Sequence, residues 1–234
     1  MRKGYYSVRN QTPNEAEFYL YEEIGFEGWD GDGITAKKIA EDLQAAGNLQ
    51  KINLHINSPG GRVFEAVAIY NLFRMHKAQV NVSIEGLAAS SASIVAMCGD
   101  TIEAAANSLI LIHDPWSMAV GTADDFEKEA DMLRKVKGTI ITTYLSQCRK
   151  SGSKTTEKQL ADMMSQETWM NADEALGFGL IDSVTEALQA AACFDLSKFK
   201  YRKAPAAPKQ DPLAFRTRIA SMAMDCRRLR LAAH

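Results

Sequence analysis

Apolar and polar residues alternate strictly along Lys51–Asn57 (KINLHIN), which puts Ile52, Leu54 and Ile56 on one face, and again along Gln79–Glu85 (QVNVSIE). A period of two marks a half-buried strand. Glu17–Ile24 (EFYLYEEI) reads as an earlier strand, and Thr101–Ala105 and Leu109–Ile112 as two short later ones. Between the strands the period lengthens towards 3.6. Ile39, Ala40, Leu43 and Ala46 follow Thr35, a residue suited to cap a helix, and Val63, Val67, Tyr70 and Phe73 repeat at helical spacing. Ile94–Cys98 forms a short apolar helix behind the small-residue run Gly86–Ser93. A long helix is predicted over Thr122–Lys150, where Thr122 and Asp125 make a capping box with Asp in place of Glu. Asn171 and Glu174 cap a short helix that Gly177 stops, and a strand follows at Gly179–Asp182. The alternation of strand and helix predicts an α/β fold with a mainly parallel sheet.

Composition narrows the class. Hydrophobic residues make up 46% of the 234 and charged residues 24%, a globular balance rather than a disordered one. No run approaches the roughly 18–20 apolar residues of a membrane span. The opening MRKGYYSVRNQTPNE has a basic start with no apolar core behind it, so no secretory signal is expected. Cys98, Cys148, Cys193 and Cys226 are scattered and form no CxxC pair, which suits reduced thiols in the cytoplasm.

Charge divides the chain. Residues 197–234 carry ten Lys/Arg against two Asp, a net of +8, leaving −10 for the rest of a chain whose total is −2. Pro205, Pro208 and Pro212 mark a linker ahead of a basic amphipathic stretch at Leu213–Leu231. The expected organisation is a folded domain over 1–196 and a basic extension over 197–234, the latter either a solvated tail or a docking arm for an acidic partner.

Two loops follow a strand and open a helix, the position where α/β proteins place ligands. Ser58-Pro59-Gly60-Gly61 is either a tight turn or a loop whose glycines let backbone N–H groups face a ligand. Gly86-Leu87-Ala88-Ala89-Ser90-Ser91 holds five small residues in six. Ser90 is either an N-cap or a nucleophile presented on a sharp elbow. Of the four histidines, His55 lies opposite an apolar strand face, His76 ends a helix and His234 is the last residue. His113 follows an apolar strand directly and precedes Asp114-Pro115; a structural and a general-base role are both open.

The runs INSPGG (Ile56–Gly61), GLAASSAS (Gly86–Ser93) and LIHDPW (Leu111–Trp116), in that order, resemble the Clp protease proteolytic subunit. ETWMNADEALGFGLIDSV (Glu167–Val184) resembles that family's third-residue region, and the likeness extends over about residues 17–185. The resemblance implies a Clp protease/crotonase-type spiral of βαβ units with a protruding long helix. It implies Ser90 as nucleophile, His113 as base, and the N–H groups of Gly61 and Ser91 as the oxyanion hole. Glu167 stands where the family usually has Asp, and Asp162 and Asp114 are weaker substitutes. The implied partners are a protein or peptide substrate and further copies of the chain in a ring of six or seven, single or stacked. No metal, cofactor, nucleic acid or membrane is expected.

Within the superfamily, EFYLYEEIGFEGWDGDGITA, GRVFEAVAIYN and HDPWSMAVGTADDF resemble phage and prophage head-maturation proteases, which makes capsid or scaffold proteins candidate substrates. The chain has no Walker-type loop of its own, and the resemblance leaves a Clp ATPase partner open. Three other readings compete: a Ser/Lys signal peptide peptidase, a crotonase-type acyl-CoA enzyme, and a catalytically inactive ring or scaffold subunit.

Overall fold

A computed structural model describes residues 5–12, 14–25, 34–188, 196 and 201–204. The first strands are β1 (Tyr5–Thr12) and β2 (Glu15–Tyr21), followed by α1 (Ala36–Ala46) and β3 (Lys51–Ser58). Then come α2 (Val63–Met75), β4 (Gln79–Ala89), α3 (Ser91–Ala96), β5 (Thr101–Ala105) and β6 (Leu109–Ile112). The long α4 (Ala123–Lys150) leads to α5 (Glu157–Ser165), β7 (Thr168–Asn171), α6 (Ala172–Phe178) and β8 (Ser183–Thr185).

The strands form one sheet in the order β1-β2-β3-β4-β5-β8, with β6 attached to β4 and β7 to β6. The pairs β2/β3, β3/β4, β4/β5 and β5/β8 are parallel, as the alternation predicts. Ile52, Leu54 and Ile56 of β3 and Val80, Val82 and Ile84 of β4 are buried in the core with Ile39, Ile69 and Phe73 of the covering helices. The opposite sheet face is polar. There His55 sits between Glu17 and Glu85, 2.7 Å from each, and its ring stacks on Tyr19 at 4.4 Å.

Thr35 caps α1, its side chain accepting from the Lys38 N–H, and the Thr122/Asp125 capping box opens α4 as predicted. At 28 residues α4 is about 42 Å long, since each residue rises about 1.5 Å. Only Ile140, Ile141, Tyr144, Gln147 and Cys148 on it are buried, so its N-terminal half stands out from the body. The fold is the α/β architecture with a protruding helix that the resemblance implies. Cys98 and Cys148 are buried and unpaired; Cys193, Cys226, the prolines 205, 208 and 212 and the stretch Leu213–Leu231 lie outside the described residues.

Several expectations need correction. The helix α6 runs through Gly177 and ends at Gly179, whose φ of 79° forms the left-handed cap. Gly179–Asp182 is consequently not a strand. Leu180 and Ile181 bury their side chains without laddering, and Asp182 exchanges bonds with Ile102 through its N–H (2.7 Å) and carboxylate (2.8 Å). The strand, β8, begins only at Ser183, just past the expected one, where Ser183 pairs with Glu103. The strand expected at Glu17–Ile24 runs over Glu15–Tyr21 instead. β1, α5 and β7 add elements that the apolar pattern does not announce.

Candidate active site

The site is assembled by a fork in β4. Residues Asn81–Ile84 pair with β5, whereas Leu87–Ala89 pair with β6. In that second register Ala89 lies opposite Leu111, and the Ser90 N–H donates to the Leu111 carbonyl at 3.0 Å. His113 therefore leaves the end of β6 beside Ser90. β7 runs antiparallel to β6 with Thr168 opposite Ile112, so Glu167 arrives beside His113. Three strand ends thus deliver Ser90, His113 and Glu167 to one place.

Ser90 and Glu167 are the two non-glycine residues with positive φ among the described residues, at 55° and 53°. Such a backbone costs on the order of 1–3 kcal/mol and persists only where the surroundings enforce it. At Ser90 the enforcement is visible. Its carbonyl accepts from the Ser93 N–H (3.0 Å) and the Ser93 hydroxyl (2.6 Å), and that hydroxyl also pairs with the buried Tyr144 hydroxyl of α4 at 2.8 Å. The turn aims the Ser90 side chain at His113, whose Nε2 is 2.7 Å from Oγ.

Burial holds the His113 imidazole below its ordinary pKa. Hydrogen bonding to the Asp114 backbone and the negative charges of Glu167 and Asp114 offset this in part, while Arg202 adds to it. A neutral imidazole can accept a proton from a bonded hydroxyl.

Glu167 is 4% exposed. No hydrogen bond joins it to His113 among the described residues. Its carboxylate accepts instead from the backbone N–H groups of Arg202 (2.8 Å) and Lys203 (2.7 Å), and from Trp169 Nε1 at 3.4 Å. Burial would raise the Glu167 pKa, but these donors and the His113 charge outweigh it and hold the carboxylate below its usual range. Asp114 is turned elsewhere, ion-paired to Lys137 of α4 at 2.7 Å, and Asp162 is exposed on α5.

The loop at Ser58–Gly61 abuts the elbow. The Ser58 hydroxyl accepts from the Gly60 N–H at 3.1 Å and donates to the Glu22 carbonyl at 2.6 Å. Ile24 clamps the glycines, its N–H donating to the Gly60 carbonyl (2.8 Å) and its carbonyl accepting from the Arg62 N–H (2.9 Å). The N–H groups of Gly61 and Ser91 are taken by no other group among the described residues. Gly60 has φ 93°, and a methyl group there would stand 2.5 Å from the Ala89 carbonyl oxygen and 2.8 Å from Ser90 Cβ. Gly60→Ala is accordingly expected to cost at least about 3 kcal/mol, combining the wrong φ with overlap against backbone. Chemical denaturation measures this, and a loss below 1 kcal/mol would show that the loop does not bear on the elbow.

Residues 201–204 are the part of the site that sequence reasoning missed. The segment expected to be a solvated tail or docking arm has, at these positions, its contacts inside the site. The Tyr201 ring lies 5.7 Å from His113 and 5.6 Å from Trp169, edge-on to both, and its hydroxyl donates to the Pro59 carbonyl. Burial pushes the Tyr201 phenol up in pKa, against hydrogen bonding to Ser90 that acts the other way. Backbone N–H groups carry no side-chain signature, so composition could not have found these contacts.

An α/β sheet with a strained serine elbow at the end of a central strand defines a small class of folds. Residues 26–187, more than half of the chain, match the family model for Clp protease, and the chain belongs to that family. It is 36% identical over 139 residues to the ATP-dependent Clp protease proteolytic subunit of Deinococcus radiodurans, covering 58% of this chain and 66% of that protein. It is also 36% identical over 138 residues to the ATP-dependent Clp protease proteolytic subunit 1 of Protochlamydia amoebophila, covering 57% and 65%. The matched region spans just under two thirds of the length of these relatives. Residues 201–204 lie beyond the family match.

Proposed function

We propose that this chain is a serine endopeptidase. The observation that carries the reading is the 2.7 Å contact between Ser90 Oγ and His113 Nε2 at a strained elbow. Ser90 attacks the scissile carbonyl as His113 takes its proton, and His113 returns that proton to the leaving amine. Gly61 and Ser91 offer N–H groups to the tetrahedral oxyanion; one such donor is worth about 3–4 kcal/mol in comparable sites. Glu167 orients the imidazole and stabilises imidazolium. Water then hydrolyses the acyl-enzyme.

The substrate is a protein, and the likeness of three segments to phage head-maturation proteases favours a capsid or scaffold protein, processed in the cytoplasm. We further propose a ring of several copies. Val120, Phe126 and Met132, at and just before the protruding half of α4, are 103%, 53% and 49% exposed, apolar area that association would cover. Light scattering should give several times the 25.8 kDa chain mass, and a fully active monomer would contradict the ring.

Fluorophosphonate labelling tests the chemistry. Ser90 should be modified and Ser90→Ala should not. An acyl-CoA enzyme of related fold would turn over thioesters regardless of Ser90, and an inactive scaffold would neither label nor cleave.

A further inference from the structure

Three consecutive residues of the C-terminal segment reach His113, the glycine loop and Glu167. Tyr201 packs edge-on against His113 and donates to the Pro59 carbonyl in the glycine loop. Arg202 and Lys203 turn successive backbone N–H groups onto the two oxygens of Glu167. Lys203 Nζ adds a bond to the Gln166 carbonyl at 2.6 Å. Leu196 and Tyr201 also pack on a small apolar cluster of Leu87, Ala89 and Leu111 beneath the elbow.

We propose that Tyr201–Lys203 is an intramolecular latch that bridges His113 and the glycine loop and engages the Glu167 carboxylate in place of His113, lowering activity until the segment is displaced. This rests on the peptidase reading above and adds its regulation. The Tyr201 ring stands against His113 and its hydroxyl is bonded to the Pro59 carbonyl, so the side chain bridges the base and the glycine loop that a substrate must approach. With both carboxylate oxygens accepting charge-assisted bonds, the acid is occupied by donors other than the imidazole. Tethering favours the contact: a segment on the same chain meets the site at an effective concentration in the millimolar range, with no need for high intrinsic affinity. A substrate protein competes on those terms, so the latch raises the threshold for cleavage without abolishing it.

The recognition is by backbone at Arg202 and Lys203 and by side chain at Tyr201, which gives a specific test in the full chain. Arg202 Nε is 3.8 Å from Glu167 and its side chain is 76% exposed, so Arg202→Ala should change the rate of fluorophosphonate labelling less than twofold. Lys203→Pro removes one N–H donor, and Tyr201→Ala removes the ring. Each should raise the labelling rate roughly tenfold or more, as expected for losing one charge-assisted bond or one buried aromatic contact. Hydrogen exchange reads the latch apart from catalysis. The amides of Arg202 and Lys203 should be protected in the parent chain and lose protection in Glu167→Ala. Amides exchanging at the unprotected rate in the parent would overturn the latch, as would Lys203→Pro and Tyr201→Ala both labelling at the parental rate. Protected amides combined with no labelling in any released variant would instead remove the peptidase reading, and the latch as its regulator with it.

Discussion

Ser90→Ala is expected to lower peptide hydrolysis by roughly five to six orders of magnitude, the loss seen when a serine nucleophile is removed from a comparable triad. The residual rate would come from substrate binding and the oxyanion donors. Folding should hardly change. The elbow is fixed through the Ser90 carbonyl and N–H, by Ser93 and Leu111, and alanine keeps both groups. Alanine also tolerates φ 55° about as badly as serine, so denaturation midpoints should differ by less than the equivalent of about 1 kcal/mol. Because the latch lowers the starting rate, the comparison is best made in the parent chain and in Lys203→Pro. Activity within tenfold of the matched parent in either background would remove Ser90 from the reaction.

How much of this was legible in sequence differs from element to element. β3 and the first half of β4 declare themselves because one sheet face is buried and the other polar, and a period of two records that difference. The second half of β4 does not. The alternating pattern stops at Glu85, yet the strand continues to Ala89, because Leu87–Ala89 find a new partner in β6. Pairing across the sheet, not side-chain periodicity, extends it. That extension brings Ser90 and His113 within hydrogen-bonding distance, so sequence could name the two residues and their strand ends but not the register that joins them.

Glu167 was found only through its position in a family motif. Its positive φ, its burial and its bonds to Arg202 and Lys203 are properties of the assembled site. Short elements such as α5 and β7 were invisible for a related reason. Four to nine residues hold too few apolar positions to establish a period, and their ends are set by caps such as Thr156 with Gln159. The basic composition of residues 197–234 correctly reported a change in charge. It could not report that two peptide N–H groups inside that stretch meet a buried acid.

Glu167 is where the proposed chemistry and the proposed latch meet, and Glu167→Gln should separate them. The glutamate charge favours imidazolium at His113, against the burial that disfavours it. Removing the charge should lower the His113 pKa further, moving the acid limb of the pH–rate profile to lower pH. The neutral amide can also donate to the imidazole and select the wrong tautomer, a change that costs about 10⁴-fold in a comparable triad. The same substitution weakens the bonds from Arg202 and Lys203, since an amide oxygen is a poorer acceptor than a carboxylate and its NH₂ group accepts nothing. Glu167→Gln should therefore loosen the segment yet slow the enzyme by 10³-fold or more, whereas Lys203→Pro loosens the segment and speeds it. Hydrogen exchange at residues 202 and 203, read beside peptide hydrolysis across pH, distinguishes the two variants. If Glu167→Gln proved faster than the parent at neutral pH with an unmoved acid limb, Glu167 would be only the receptor of the latch. The imidazole would then work without a carboxylate partner, because Asp114 is committed to Lys137 and Asp162 faces solvent.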